Sequence, residues 1–365
     1  MTEKQAMRRA LKLAQRGIGK VSPNPLVGAV LLHDEKVISE GWHKEFGGGH
    51  AEVNAIESAS VADLEGSTLV VTLEPCNHTG KTPPCTELII SKGISRVVIG
   101  MPDPNPFVAG HGIESLKEAG IEVVTGILED ECRFMNRFFI EYITTGKPYI
   151  IMKIAQTIDG FIATLNGESK WITCTESRRR THSLRASVDA VLIGKNTALK
   201  DNPELTVRLV KGINPKRIVL DKNLSLPQNL LLFTDSFKNN TILCCCEEVA
   251  NSIKGKTLIS NGFNIINVPV NNYGLLDLGK CIEALAKEYG IASILVEGGA
   301  QIYSSFIENN FVNELQIFIS PKIIGSGLSP FADFNPGTLS FAPKFKIVKI
   351  KKSGSDLLVI ALKKG

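Results

Sequence analysis

Four residues in the first quarter of the chain have the types and spacing of a metal-dependent active site. They are His50, Glu52, Cys76 and Cys85. One imidazole and two thiolates supply three of the four ligands of a tetrahedral Zn²⁺, and three protein ligands leave the fourth position for water, as in catalytic sites. Zinc lowers the pKa of that water, which makes hydroxide available near neutral pH. Glu52 is not needed as a ligand, so it is free to take a proton from the water and pass it to a leaving group.

Simpler explanations exist for the same residues. An H-x-E triplet arises by chance in many chains, and two cysteines can be buried apolar residues. In zinc-dependent deaminases an H-x-E triplet is followed by two cysteines, and the usual signature separates those cysteines by two residues. In this chain eight residues separate Cys76 from Cys85. The context nevertheless favours a metal, because His50 opens a helical pattern, Cys76 ends an apolar strand and Cys85 starts a second helix, whose N-terminus favours thiolate. The pattern therefore predicts a zinc site of the kind that deaminates amino-substituted heterocycles.

The elements around these residues alternate between strand and helix. Apolar segments at 26–32 and 37–42 predict a hairpin, and further strands and helices follow in turn. This alternation predicts an α/β sandwich with a largely parallel sheet. A helix ends just before Pro148, which begins an extended segment, so we place a domain boundary there. We expect two α/β domains, at 1–146 and 147–365.

Length and composition limit the class of protein. At 365 residues the chain is too long for one ordinary core. The net charge of +4 is slight, so we expect no nucleic-acid partner bound through bulk charge. We expect no signal peptide, because the N-terminus is polar and leads into an amphipathic helix, and we expect no membrane partner, because no apolar run approaches the length of a membrane span. The cysteines outside the predicted zinc site show no paired spacing, which favours the reducing cytoplasm.

The second half carries weaker chemical signals. It has no G-x-G-x-x-G after a strand, so the ordinary dinucleotide-binding fingerprint is absent. Glu297 and two glycines lie at a strand-to-helix junction, where a helix N-terminus favours a phosphate, although a plain turn explains them about as well. Lys153, Arg185 and Arg208 would each suit a second anion, and taken singly each is more often a surface charge.

Residues 1–145 resemble the pyrimidine deaminase family of riboflavin biosynthesis. The eight-residue spacer between the cysteines is typical of that family. The motifs that carry the resemblance are SPNPLVG (22–28), HAE (50–52), LEPC (73–76), GKTPPC (80–85) and DPNP (103–106). The resemblance implies a cytidine-deaminase-like α/β/α sandwich.

Residues 149–365 resemble the reductase that partners this deaminase, which has a dihydrofolate-reductase-like α/β fold. The matching motifs are DG (159–160), SKWIT (169–173), LRA (184–186), DAVLIG (189–194), DNPELTVR (201–208) and EGG (297–299). The two resemblances together cover nearly the whole chain.

The family resemblance implies two reactions and a set of residues for each. The first domain would hydrolyse the 2-amino group of a diaminopyrimidinone that carries ribosylamine 5′-phosphate, and the second would reduce the ribosyl group to ribityl with NADPH. Carried over to this chain, the contacts with the deaminase substrate are Asn24, His43, Lys81, Asp103 and Asn105. The reductase substrate contacts are Ser169, Arg185, Leu205, Arg208 and Glu297. The NADPH contacts are Ala155, Trp171, Thr197, Asp201 and Gly299.

Two other functions compete with this interpretation. A nucleic-acid deaminase with an appended domain would need a basic channel and the short C-x-x-C spacing, and the sequence has neither. A monofunctional deaminase with a C-terminal binding module is disfavoured by the reductase motifs, which do not by themselves establish activity. The expected partners are a small phosphorylated pyrimidine and further copies of the chain, in a homo-oligomer.

Overall fold

The computed structural model describes residues 1–77, 83–106 and 108–364. The chain divides into two compact units, Met1–Lys147 and Pro148–Gly365. Each unit is built on one mixed β-sheet. Among the described residues, no helix combines the length and the apolar character that a membrane crossing requires.

The first unit contains a five-stranded sheet. Its strands are β1 (Gly28–His33), β2 (Lys36–Trp42), β3 (Thr68–Leu73), β4 (Arg96–Met101) and β5 (Glu122–Thr125). They lie in the order β2-β1-β3-β4-β5. Strands β3, β4 and β5 run parallel, whereas β1 is antiparallel to both β2 and β3. Strand β2 therefore runs in the same direction as β3, β4 and β5, and the sheet is largely parallel as expected, with β1 alone reversed. Asp34 and Glu35 both have positive φ, the geometry of a tight hairpin turn that returns β2 directly beside β1.

Helices cover both faces of this sheet. They are α1 (Glu3–Ala14), α2 (Ala51–Glu57), α3 (Cys85–Ser91), α4 (His111–Glu118), α5 (Glu129–Met135) and α6 (Arg137–Thr145). A Cβ at Gly28 would lie 2.0 Å from the carbonyl oxygen of Ala10 in α1, and a Cβ at Gly41 would lie 2.2 Å from that of Ala51 in α2. Gly41 is paired with Ala29, the neighbour of Gly28, and successive residues of a strand face opposite sides. Helices α1 and α2 therefore pack on opposite faces, each through a glycine.

The second unit contains a nine-stranded sheet. Its strands are β6 (Tyr149–Thr157), β7 (Ala190–Gly194), β8 (Lys216–Leu220), β9 (Thr241–Cys245), β10 (Asn264–Asn267), β11 (Ser293–Val296), β12 (Glu314–Ser320), β13 (Phe345–Ser353) and β14 (Asp356–Lys363). They lie in the order β10-β9-β8-β7-β11-β6-β12-β14-β13. The strands from β10 to β12 run parallel, and the β13–β14 hairpin is added antiparallel at one edge. Strands β7 and β11 are buried along their whole length, as expected for central parallel strands.

The helices of the second unit connect these strands. They are α7 (Thr175–Arg185), α8 (Lys195–Asp201), α9 (Leu231–Thr234), α10 (Glu247–Ala250), α11 (Ile253–Ser260), α12 (Leu278–Tyr289) and α13 (Ala300–Glu308). Helix α13 begins immediately after the glycines that follow β11. The turn at 297–299 therefore lies at the carboxyl edge of the sheet, where ligands of parallel α/β structures bind.

A buried arginine holds the segment 201–208 against this sheet. Arg217 in β8 is 1% exposed and donates to both carboxylate oxygens of Asp235, at 2.6 and 3.0 Å. It also donates to the carbonyl oxygens of Glu204 and Leu232 and to the hydroxyl of Thr241. Each guanidinium nitrogen of Arg217 therefore has an acceptor. The bond from Arg217 to its carbonyl oxygen fixes Glu204 against the interior of the second unit.

Replacing this arginine tests the contribution of the buried pair. Arg217→Met keeps much of the side-chain length but leaves Asp235 without its cation, so we expect the second unit to lose about 3–5 kcal/mol of unfolding free energy. Urea unfolding of the full-length chain measures the change. Arg179→Met, on the exposed surface of α7, is the matched control and should change stability by less than about 0.5 kcal/mol. Equal stability of the two variants would contradict the role of Arg217.

Candidate functional site

Three metal-binding side chains of the first unit converge at the ends of three elements. His50 is the residue before α2, Cys76 follows β3, and Cys85 is the first residue of α3. The Nδ1 atom of His50 lies 3.2 Å from Sγ of Cys85 and 3.5 Å from Sγ of Cys76. The three donor atoms lie within 4.8 Å of one another. Ligands bonded tetrahedrally to zinc at about 2.0–2.3 Å are separated by roughly 3.5 Å, so this donor set fits zinc.

The two thiols differ in their electrostatic surroundings. Hydrogen bonding from Cys85 and then from His50 lowers the pKa of Cys76 to about 4, against the opposing effect of burial. The main-chain N–H of Cys85 also donates to the Cys76 sulfur, at 3.4 Å. The hydrogen bond to Cys76, together with burial, raises the pKa of Cys85. Cys76 is therefore held as a thiolate by the fold itself, and a thiolate is the form that binds metal.

Glu52 lies beside these ligands but has a different environment. It is the second residue of α2 and is 4% exposed. Burial raises the pKa of its carboxyl group to about 7, although the nearby His50 opposes the change. A carboxyl group that titrates near neutral pH can both accept and release a proton during a reaction. The first turn of α2 therefore carries a metal-binding imidazole and a proton-transfer group at the same end.

Two predicted substrate residues lie next to the metal-binding group. The ring of His43 is 5.8 Å from that of His50, at right angles to it. Its Nδ1 lies 3.0 Å from the carbonyl oxygen of Gly49, and its Nε2 lies 3.3 Å from Nδ2 of Asn24. The carbonyl can only accept, so Nδ1 carries the proton and Nε2 accepts from the amide of Asn24. Burial lowers the pKa of His43, in agreement with this neutral form.

The remaining predicted deaminase contacts lie in the segment that follows β4. Leu73 of β3 pairs with Met101 of β4 in parallel register, so both strands end at the same edge of the sheet. Cys76 follows one strand, and Asp103 follows the other. The Oδ1 atom of Asp103 accepts the N–H of Asn105, at 2.8 Å. Lys81, the fifth predicted contact, lies outside the described residues.

In the second unit, a buried ion pair joins two predicted substrate residues. Arg185, the last residue of α7, donates from Nε and Nη2 to the carboxylate of Glu297, at 2.6 and 2.8 Å. The two side chains are 11% and 7% exposed. Burial by itself raises the pKa of Glu297, but the charge and hydrogen bonds of Arg185 leave it lower than usual. Arg185 also donates to the carbonyl oxygen of Thr206, next to the predicted contact Leu205.

Two further residues surround this pair: Lys153, which the sequence indicated only as a possible anion contact, and His182, which it did not indicate. Lys153 in β6 is half-buried, and its partial desolvation lowers its pKa, while the charge of Glu297 opposes that change. His182 accepts the N–H of Arg208 at Nδ1, at 3.0 Å, and burial and nearby arginines lower its pKa to about 4. His182 lies three positions before Arg185, and residues three apart share a helix face. The spacing between His182 and Arg185 was the sequence signal that could have identified His182 as a neighbour of this pair. For Lys153 the signal was its charge, since a cation suits an anionic ligand.

Of the predicted cofactor contacts, Thr197 and Gly299 are brought together. A Cβ at Gly299 would lie 3.3 Å from Oγ1 of Thr197, and the residue has a φ of +91°. Among the described residues, no side chain caps the N-terminus of α13 that follows, so its free N–H groups suit a phosphate of a dinucleotide.

Two other predicted cofactor contacts, Trp171 and Asp201, are connected through Lys170. Trp171 is 63% exposed and lies under the guanidinium of Arg178, while the neighbouring Lys170 donates to the carbonyl oxygen of Asp201.

The other predicted residues of the second unit lie on its strands and loops without a described contact to that turn. Leu205 is buried with a φ of +53°, and Arg208 is half-exposed, bonded to Glu204 and Thr206. Ala155 lies in β6, in register with Phe318 of β12, and Ser169 is half-buried.

Comparisons with known proteins match both units. The family model "RibD C-terminal domain" matches residues 148–359, and "Cytidine and deoxycytidylate deaminase zinc-binding region" matches residues 1–101. The riboflavin biosynthesis protein RibD of Aquifex aeolicus (strain VF5) is 42% identical over 98% of this chain and 97% of its own length.

Solved structures agree with these matches. A RibD structure from Acinetobacter baumannii superposes with a TM-score of 0.88 at 32% identity, covering 100% of this chain and 99% of that one. The diaminohydroxyphosphoribosylaminopyrimidine deaminase/5-amino-6-(5-phosphoribosylamino)uracil reductase of Thermotoga maritima also has a TM-score of 0.88, at 41% identity, with 99% of each chain covered.

The metal-binding group leads to a direct prediction. The purified full-length chain should bind one zinc ion, and Cys76→Ser should weaken zinc binding more than about 100-fold, since even outer-shell changes typically cost 10–100-fold. Competition with a chromophoric chelator measures the affinity. Cys132→Ala, which removes a buried thiol elsewhere in the first unit, should leave it unchanged. Zinc binding of Cys76→Ser at the original affinity would rule out this donor set.

Proposed function

This chain belongs to the RibD family of riboflavin biosynthesis proteins, and from that membership we propose its two substrates and the residues that act on them. The family members combine a zinc-dependent deaminase with an NADPH-dependent reductase. The first reaction would remove the 2-amino group of 2,5-diamino-6-ribosylamino-4(3H)-pyrimidinone 5′-phosphate. The second would reduce the ribosyl side chain of the product to ribityl. The observation that carries the proposal is the convergence of His50, Cys76 and Cys85 beside Glu52 in a chain matched along its length to RibD.

In the deaminase step, Glu52 moves the protons. Held by His50, Cys76 and Cys85, zinc would lower the pKa of a water molecule and so supply a nucleophile for the ring carbon. Glu52 accepts a proton from the water and delivers it to the departing amino group. The carbon–nitrogen bond breaks, ammonia leaves, the ring carbon keeps the water oxygen as a carbonyl, and the second proton of the water ends on the neighbouring ring nitrogen. A carboxyl group with a pKa near 7 suits both transfers.

The residues around Glu52 bind and orient the pyrimidine. The neutral His43 ring is fixed by Gly49 and Asn24, so the amide of Asn24 keeps one orientation toward the ring of the substrate. A fixed orientation lowers the entropy lost on reaching the reacting geometry. The full set of substrate contacts in the first unit is Asn24, His43, Lys81, Asp103 and Asn105.

In the reductase step, charge complementarity binds the phosphorylated substrate. With His182 neutral, the cations Lys153, Arg185 and Arg208 outnumber the carboxylates Glu297 and Glu204, and this positive excess suits an anion. Bound NADPH would supply a hydride to the reducible sugar carbon, and the protein aligns the two. The substrate contacts are Ser169, Arg185, Leu205, Arg208 and Glu297. The cofactor contacts are Ala155, Trp171, Thr197, Asp201 and Gly299.

We assign the deaminase to a domain at 1–146, the reductase to a domain at 147–365, and the protein to the cytoplasm. The eight cysteines carry no disulfide, which is in keeping with a reducing compartment. The partner of the chain is a small phosphorylated pyrimidine, with no nucleic acid and no membrane.

The edge of the nine-stranded sheet supports a homo-oligomer. Ile347 and Ile350 of β13 are paired with Ala361 and Val359 of β14, so all four lie on one face of the hairpin. Ile347 and Ile350 are 57% and 58% exposed, and Leu357 on the same face is 39% exposed. The other face of β13 carries Lys346, Lys349 and Lys351, and Lys352 lies at the end of the apolar face, opposite Leu357. In a two-fold dimer the same patch meets itself, so the apolar face can be covered by a second copy, whereas the lysines would repel.

A pair of variants separates the two reactions. Glu52→Gln should lower ammonia release about 10²–10⁴-fold, because it removes proton transfer while leaving the metal ligands intact. Arg185→Met should lower kcat/KM for NADPH oxidation roughly 10- to 100-fold, since a hydrogen bond to a charged group is worth about 1.5–3 kcal/mol. Both rates are measured on the whole protein, as ammonia release for the first reaction and as NADPH oxidation for the second. The reductase reaction is started from its deaminated substrate.

Each variant serves as the control for the other, because the reaction of the unaltered unit should keep its rate. Unchanged reduction in Arg185→Met would count against the proposed substrate site. Ammonia release from the original protein without any NADPH oxidation would identify a deaminase with a silent second unit. No ammonia from metal-replete protein would refute the central proposal.

The oligomer has its own test. Ile347→Asp/Ile350→Asp should lower the mass of the protein in solution to that of the monomer, because each copy would bring two carboxylates into the apolar contact. Size-exclusion chromatography with light scattering measures the mass. Ile253→Asp in α11, where the isoleucine is 87% exposed, is the control and should keep the original mass. A monomeric original protein, or an unchanged mass in the double variant, would refute the proposed interface.

A further inference from the structure

Glu74 is a buried carboxylate to which the proposed chemistry gives no role. It follows β3 directly and is 3% exposed. Its Oε2 atom accepts the N–H groups of Asp103 and Gly110, at 3.0 and 3.1 Å. Its Oε1 atom accepts those of Gly112 and Ile113, at 2.9 and 3.1 Å. Each oxygen therefore receives two main-chain donors, which is the full acceptor capacity of a carboxylate.

Three of these donors belong to the beginning of α4. The first N–H groups of a helix have no partner within the helix, and a negative charge is favourable there. Glu74 satisfies them from a different element and so joins α4 to the end of β3. The contact is close, because a Cβ at Gly112 would lie 2.1 Å from the carbonyl oxygen of Pro75. Helix α4 therefore cannot move closer to Pro75, and its hydrogen bonds to the Glu74 carboxylate prevent it from moving away.

The fourth donor fixes the segment that carries the predicted substrate contacts. The N–H of Asp103 is bonded to Glu74, and the carboxylate of Asp103 accepts the N–H of Asn105. The carbonyl oxygen of Asn105 accepts the N–H groups of Val108 and Ala109, both at 2.9 Å. The segment is therefore tied at both ends, at Asp103 to Glu74 and at Asn105 to Val108 and Ala109, which precede α4.

We propose that Glu74 is a positioning residue for the deaminase reaction, which sets the distance between the Asp103 segment and the metal-binding Cys76. Cys76 lies two residues beyond Glu74, with Pro75 between them, so one short rigid stretch carries both the metal thiolate and the carboxylate that holds the substrate segment. Glu74 acts through main-chain hydrogen bonds and not on the reacting atoms. The inference rests on the proposed deaminase function.

The substitution Glu74→Gln tests the proposal with little change of shape. An amide offers one acceptor oxygen and turns its N–H groups toward the donors on the other side, so two of the four main-chain bonds are lost. We expect the KM for the pyrimidine to rise about tenfold and kcat to change less than about threefold, since the metal and Glu52 are untouched. Zinc content and the rate of the reductase reaction on deaminated substrate should be unchanged.

A double-mutant cycle distinguishes positioning from a general loss of structure. If Glu74 acts through the Asp103 segment, Glu74→Gln should raise KM less than about twofold in an Asp103→Asn background, because coupled residues are non-additive. Full additivity of the two substitutions would overturn the proposal. Glu114→Gln removes an exposed carboxylate from the first turn of α4 and is the matched control, with kinetics like those of the original protein.

Other outcomes are equally decisive. Loss of zinc with a fall in kcat at constant KM would make Glu74 a support of the metal site and overturn the proposal, as would unaltered kinetics in Glu74→Gln. If Glu74→Gln does not fold, Glu74→Asp, which keeps the charge on a shorter side chain, should raise KM in the same sense with zinc retained, and unaltered KM there would overturn it. If the unsubstituted protein releases no ammonia, that result would instead refute the proposed function.

Discussion

The structure of the first unit depends on bringing three donor atoms, from His50, Cys76 and Cys85, within 4.8 Å. They come from the start of α2, the end of β3 and the start of α3, so the packing of those elements sets the metal site. Gly41 allows α2 to lie directly on β2, because a Cβ there would lie 2.2 Å from the carbonyl oxygen of Ala51. With α2 fixed in this way, Glu52 in its first turn has no freedom to leave the metal-binding group.

The second unit depends on a different constraint, the cost of burying charge. Arg185 and Glu297 lie 112 residues apart in sequence and form two hydrogen bonds in the interior. A buried pair of this kind loses hydration, and good geometry with further hydrogen bonds is needed to offset that loss. Arg185 makes a third bond, to the carbonyl oxygen of Thr206. Arg217 ties the neighbouring Glu204 to the core in the same manner. The segment 201–208 is thus held by two arginines.

Much of this could be predicted from residue types and short-range patterns. The zinc donors and Glu52 stood out because imidazole, thiolate and carboxylate at those spacings have few common roles together. The strand arrangement of the first sheet did not follow, because alternation of strand and helix does not reveal that β1 joins β3 in antiparallel pairing. Glu74 and His182 were not singled out, and Lys153 was indicated only as a possible anion contact, because their surroundings come from distant parts of the chain.

The sequence by itself determined the chemistry available to each unit, since the types of ionisable and metal-binding side chains are local properties. It also determined the helix starts and strand ends on which those side chains lie. Only the tertiary structure decided which groups share a low-dielectric environment. Burial raises the pKa of Glu52 to about 7 against the charge of His50, and burial with nearby arginines lowers that of His182 to about 4. These shifts arise from desolvation and charges across space, which no linear spacing records.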